Sequence, residues 1–117
     1  MATIGNIVVG VIAGLHLWFL ILEMFLWNKP LGLKTFHMTQ AVADASATLA
    51  ANQGLYNGFL AAGLIWGLWV DLLAAKVFFL ICVLAAGVFG GLTARRSILY
   101  IQALPAAIGL ALLYVAR

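Results

Sequence analysis

The chain has 117 residues, 67% of them hydrophobic and 8% charged, with a formal net charge of +3. Three carboxylates and six Lys/Arg cannot solvate the surface of a soluble domain of this length, which argues against an ordinary globular fold. The positive balance is not a nucleic-acid footprint, because the cations punctuate apolar runs, where they set orientation and meet anionic head groups.

The first apolar run covers residues 4–27. No Lys or Arg precedes it and it exceeds a signal-peptide core, so it reads as a span and not as a cleavable leader. Asn28-Lys29-Pro30-Leu31-Gly32 stops it. Helix formers resume at Thr39, with Thr39 or Asp44 as cap, and lead into a second apolar run over 49–70. One helix from Thr39 to Trp69 would be about 45 Å long, against roughly 30 Å of hydrocarbon, so its first third should project from the membrane or line an aqueous cavity. The alternative is a break near Gly54 that leaves an interfacial helix over 39–51. Asp71 marks a tight connection to a third run, 74–93, closed by Thr93-Ala94-Arg95-Arg96-Ser97, and a fourth run covers 98–116. The expected fold is all-α: a single domain, 1–117, forming an integral membrane four-helix bundle whose long second helix extends beyond the bilayer. Cys82 lies inside an apolar run and cannot form an internal disulfide. Lys29, Lys34, Arg95 and Arg96 follow the first and third spans, against Lys76 and Arg117 on the opposite side. Positive-inside bias therefore places those two loops in the cytoplasm and both termini outside.

On the second helix Ala43, Ala47, Ala50, Gly54, Gly58 and Ala61 form a small-residue stripe, and Gly54 and Gly58 make a G-x-x-x-G pair. Gly10 with Gly14 and Gly87 with Gly91 offer similar surfaces, which predicts a tight bundle and a homo-oligomer. Asn52, Gln53, Tyr56, Asn57, Leu60 and Gly63 are assigned to the other face, an arc of about 140°. Four polar groups in two turns either clamp helices together or line a cavity.

Glu23 is the only carboxylate within a span, and such a group is a candidate proton carrier, general acid or base, or anchor for a ligand. His16 lies seven residues earlier, about 10 Å along the same face. It reads as a hydrogen-bonded packing residue or as a ligand contact. Helix directions put Glu23, Asn52, Gln53, Asn57 and Gln102 at similar depth in the cytoplasmic half, and Pro105 should free backbone acceptors near Gln102. The predicted site is thus Glu23 in an acid–base or proton-carrying role, with His16, Asn52, Gln53, Tyr56, Asn57 and Gln102 as ligand contacts. Two distant histidines and one intramembrane carboxylate do not make a zinc or di-iron site, and Ser46 and Ser97 lack patterned triad partners. No nucleotide fingerprint occurs, and the residues name no cofactor.

The segments Glu23-Met24-Phe25-Leu26-Trp27 and Ala50-Ala51-Asn52-Gln53-Gly54-Leu55-Tyr56-Asn57-Gly58-Phe59-Leu60-Ala61-Ala62-Gly63-Leu64 together resemble the bacterial membrane proteins of domain of unknown function 1304. Gly90-Gly91-Leu92-Thr93 and Ile101-Gln102-Ala103-Leu104-Pro105-Ala106 are similar in style. The resemblance covers essentially the whole chain and implies a four-helix protein of the bacterial inner membrane, with no assigned activity. A looser similarity, in topology alone, is to the membrane-associated eicosanoid and glutathione metabolism proteins, but their arginine-rich second-helix motif is absent, since no Arg precedes Arg95. The leading expectation is a protein that binds or moves a small amphipathic or lipid-like molecule, with membrane lipid as its surroundings. A membrane enzyme acting on a lipophilic substrate and a structural partner subunit are the alternatives.

Overall fold

The computed structural model of the chain describes residues 2–117. Among these residues the helices follow in order: α1 Ala2–Met24, α2 Pro30–Phe36, α3 Gln40–Trp69, α4 Leu73–Thr93 and α5 Leu104–Ala116, the last preceded by a π-helical turn over Leu99–Ala103. Among the described residues there is no strand. Among the described residues three segments are long and apolar enough to cross a membrane: Ala2–Met24, Leu73–Thr93 and Leu99–Ala116. The 30-residue α3 is long enough but not in this set, because the amide-rich stretch from Asn52 to Asn57 dilutes its apolar character.

Local chemistry explains the boundaries. Thr39 Oγ1 accepts a hydrogen bond from the Val42 amide at 3.2 Å and so caps α3. The helix then runs unbroken through Gly54, so the alternative of a break there is not what the chain adopts. α3 ends in a Schellman turn: Leu72 N–H donates to the Gly67 carbonyl at 2.9 Å and Asp71 N–H to that of Leu68. Asp71 takes the left-handed conformation (φ 49°) that glycine usually fills there. The expected tight connection is therefore real.

α1 ends at Met24, three residues short of the run read from hydropathy. Pro30, read as a stop, instead opens α2: Lys29 before it is extended, and proline suits a first helical turn, where the missing N–H is not needed. α2 closes at His37, the other left-handed residue (φ 54°).

Packing divides the chain into two compact units, and α1 and α3 each contribute to both. One unit takes α1 up to Gly14 with Leu60–Arg117. Its core is Val9, Ile12, Leu64, Leu80, Val83, Ala106 and Leu113, all buried. α4 meets the π-helical turn at Gly87, where a Cβ would lie 2.7 Å from the Ala103 backbone nitrogen. The turn itself precedes Pro105, whose ring would strike the carbonyl four residues back in a regular helix; widening the winding relieves that clash.

The second unit is Leu15–Phe59, a hairpin of the later half of α1 and the earlier part of α3, with α2 between them in sequence. Gly32 seats α2 against the chain leaving α1. A Cβ there would lie 2.1 Å from the Leu26 carbonyl oxygen and 2.4 Å from that of Trp27, so only glycine fits.

Candidate functional site

The second unit holds most of the predicted polar residues, and glycine decides where they meet. A Cβ at Gly54 would lie 2.6 Å from Met24 Cγ and 3.1 Å from Glu23 Cβ; at Gly58 it would lie 2.6 Å from Leu20 Cδ1. The last two turns of α1 therefore lie directly on the G-x-x-x-G surface of α3. Asn57, between the two glycines, donates from Nδ2 to Glu23 Oε1 at 2.5 Å. The side chain of Glu23 is partly buried, on an apolar helix.

This corrects the assignment of faces. At about 100° per residue Asn57 falls with Ala50, Gly54 and Ala61, the small-residue side, and not with Asn52 and Tyr56. Burial agrees: Ala50, Gly54 and Ala61 are buried and Asn57 is half-buried, whereas Asn52, Gln53 and Tyr56 are exposed. The Asn52 amide reaches only the Tyr56 hydroxyl one turn on, at a long 3.4 Å. The glycine pair, expected to let a neighbouring backbone approach closely in a tight bundle, does so against α1 of the same chain.

His16 is fully buried, its ring edge-on to Phe19 with centroids 5.2 Å apart. Gln102 belongs to the other unit, where its Nε2 donates to the Val83 carbonyl at 3.1 Å and ties the π-helical turn to α4. The structure thus joins Glu23 with Asn57 and Asn52 with Tyr56, leaves Gln53 exposed, and gives Gln102 a packing role in its own unit.

Above the Glu23–Asn57 pair, a polar collar closes the hairpin. Trp27 Nε1 donates to Ser46 Oγ at 3.0 Å, and the indole packs tilted against Phe36 of α2, ring centroids 4.8 Å apart. Gln40 Nε2 reaches both Asp44 Oδ1 and the Asn28 carbonyl at 3.0 Å, and Asn28 Nδ2 donates to the same Asp44 oxygen at 3.2 Å. Ser46 lies eleven residues before Asn57 on α3, about 16 Å along its axis. The collar therefore stands well beyond the last turn of α1, and Asn52 and Gln53 lie between it and Glu23. They sit outward of Glu23, not at its level.

One cluster escaped the sequence reading altogether. Lys76, counted among the charges on the side opposite Lys29 and Arg95, is 3% exposed on the first turn of α4. Its ammonium donates to Asn6 Oδ1 at 2.9 Å and to Asp71 Oδ1 at 2.6 Å. That hydrogen bond, and then the charge behind it, hold the Asp71 carboxyl below its usual pKa. The signal was available in part, since Asn6 and Lys76 are isolated polar residues inside apolar runs. The same unit carries an apolar groove of about 480 Å³ whose lining includes Leu73, Val77, Leu110, Tyr114 and Arg117, none of them a predicted site residue.

The pair on α1 and α3 has definite chemical capacity. A carboxylate offers about four acceptor positions, and Asn57 occupies one of them. The group can therefore take a donor from a bound molecule, or a proton, while staying anchored.

A family model described as a protein of unknown function, DUF1304, matches residues 10–114. The chain belongs to the DUF1304 family. The DUF1304 match contains Glu23, the whole Asn52–Asn57 stretch and Gln102, and excludes Asn6. The chain is also similar to the uncharacterised protein YpaA of Lactococcus lactis subsp. lactis (strain IL1403), with 28% identity over 105 residues, covering 86% of this chain and 88% of the relative. No solved structure matches the chain.

Proposed function

We propose that this DUF1304 protein is a multi-pass protein of the bacterial inner membrane that binds or moves a small amphipathic or lipid-like molecule at Glu23. The observation that carries the reading is the carboxyl of Glu23, borne on an apolar helix and held by the neutral amide of Asn57 over a glycine. A carboxyl anchored without a cation keeps both its acceptor capacity and its ability to exchange a proton. Its place one residue from the end of α1 suits the polar head of an amphiphile, with the apolar length of the helix below for the tail.

In this reading α3 is the fourth span. At about 45 Å it crosses and still projects its amino-terminal part. Lys29, Lys34, Arg95 and Arg96 then face the cytoplasm against Arg117, since Lys76 is withdrawn into its pair with Asp71. The site opens toward the cytoplasm.

The test is native mass spectrometry of protein extracted gently from its own membrane, wild type against Glu23→Gln. A discrete bound mass in the wild type, lost in the variant while the fold survives, supports the site; an empty wild type refutes it. Extraction of the same membranes at alkaline pH tests embedding separately, because an embedded chain stays in the pellet. A second reading is favoured by the same bond: Glu23 and Asn57 clamp α1 to α3 and nothing more. It requires Glu23→Gln to lower stability with no bound mass in either protein.

A further inference from the structure

The face of α3 that turns away from α1 carries its own pattern. Val42, Ala45, Leu49, Asn52, Tyr56 and Phe59 follow one another at spacings of three and four, the a/d repeat of a coiled-coil seam. All six are exposed; Val42, Leu49, Tyr56 and Phe59 are 55%, 65%, 48% and 55% accessible. At about 100° per residue they fill an arc of roughly 100°, drifting steadily in the sense of a left-handed supercoil. Ala43, Ala50 and Gly54, on the opposite side, are buried.

Neither lipid nor water suits this face. Its first half lies alongside the collar of Asn28, Gln40 and Asp44; roughly 30 Å of hydrocarbon takes about 20 residues of α3 back from Trp69, so in the embedding proposed above Val42 and Ala45 stand beyond it. Its second half carries Asn52 and Tyr56, whose polar groups lipid cannot satisfy. A helix of the same period with an amide at the same height covers both halves at once. A second copy of α3 meets both requirements. The Asn52 amide is at once donor and acceptor, so it pairs with its own symmetry mate, and its long contact to Tyr56 is easily exchanged. A single asparagine in such a seam fixes register.

We propose that this face of α3 is a self-association seam, packed in parallel against α3 of a second copy with Asn52 meeting Asn52. The parallel order rests on the membrane embedding proposed above, which gives every copy one orientation; alkaline extraction tests that embedding by itself, so the two failures are distinguishable. The seam is heterologous to no other surface: each residue meets its own counterpart.

The experiment is disulfide cross-linking of the full chain in native membranes, in a Cys82→Ser background. Single cysteines replace Leu49 or Asn52 in the seam, or Leu55, which is also exposed but about 90° round the helix. Oxidation is expected to link the Leu49→Cys and Asn52→Cys proteins at least fivefold more than Leu55→Cys. Equal linking at all three positions, or none in the seam, overturns the proposal. Leu49→Glu supplies the second reading: native mass spectrometry should show the oligomer replaced by monomer, with helical circular dichroism unchanged. A wild type that is already monomeric, or an oligomer that survives Leu49→Glu, overturns it equally.

Discussion

A double-mutant cycle on Glu23 and Asn57 measures how far the two side chains act together. Asn57→Ala removes the donor that reaches Glu23 Oε1 at 2.5 Å. A hydrogen bond of this kind contributes about 0.5–1.5 kcal/mol net, and pairs within membrane bundles average about 0.6 with a maximum near 1.7. Because Glu23 is only partly buried, its carboxyl recovers some hydration when the amide is gone, which puts the loss near 1 kcal/mol and not at the upper end. Alanine is also the better helix former by roughly 0.5 kcal/mol, so the single variant should lose only about 0.5 kcal/mol. Glu23→Ala keeps the Cβ that rests on Gly54, loses the same bond, and gains less from propensity. Neither single value reveals the interaction. The cycle does: the coupling should be about 1 kcal/mol, read by reversible unfolding with SDS in mixed micelles and followed by tryptophan fluorescence.

A coupling below about 0.3 kcal/mol, within the scatter for independent sites, would refute the pairing. The same cycle also separates the two functional readings. A helix clamp keeps its coupling after exhaustive delipidation. A bound amphiphile stabilises the wild type by mass action, and that part of the difference disappears on stripping.

Two further outcomes test the packing. Gly32→Ala should cost about 1–3 kcal/mol, because the new Cβ meets two backbone carbonyls that cannot rotate aside, whereas Gly14→Ala, with nothing within 4 Å, should gain up to about 1 kcal/mol; thermal melts in detergent that shift both the same way would contradict the geometry. Asp71→Asn keeps a residue that tolerates the left-handed backbone and removes the charge facing Lys76. Since the folded carboxyl titrates below its ordinary value of 3.8, its contribution is complete above that pH and fades as pH falls through the folded value. Wild type should therefore melt above the variant at pH 5–7, and the gap should close as pH drops below about 4; a gap constant down to pH 3 would show that the charge is not what matters.

What the sequence made legible was whatever the chain decides locally. Thr39 caps its helix, Asp71 ends one, and neither needs a distant partner. Pro30 was misread because proline both stops a helix and starts one, and the deciding fact is the extended backbone of Lys29 before it. Lys76 was misread for a different reason: its burial depends on Asn6, seventy residues away, and a spacing of that kind leaves no periodic trace. Asn57 is the most instructive case. Helical geometry alone places it with Gly54, yet polar character invites grouping it with Asn52 and Tyr56. The direction of a side chain follows from its position on a helix, but its partner follows from the register between helices, and in this hairpin that register is set by the contact at Gly54. Widen that contact and Asn57 loses Glu23 without any change in its own sequence surroundings. Gly54, a residue with no functional group, therefore determines whether the Glu23–Asn57 pair exists.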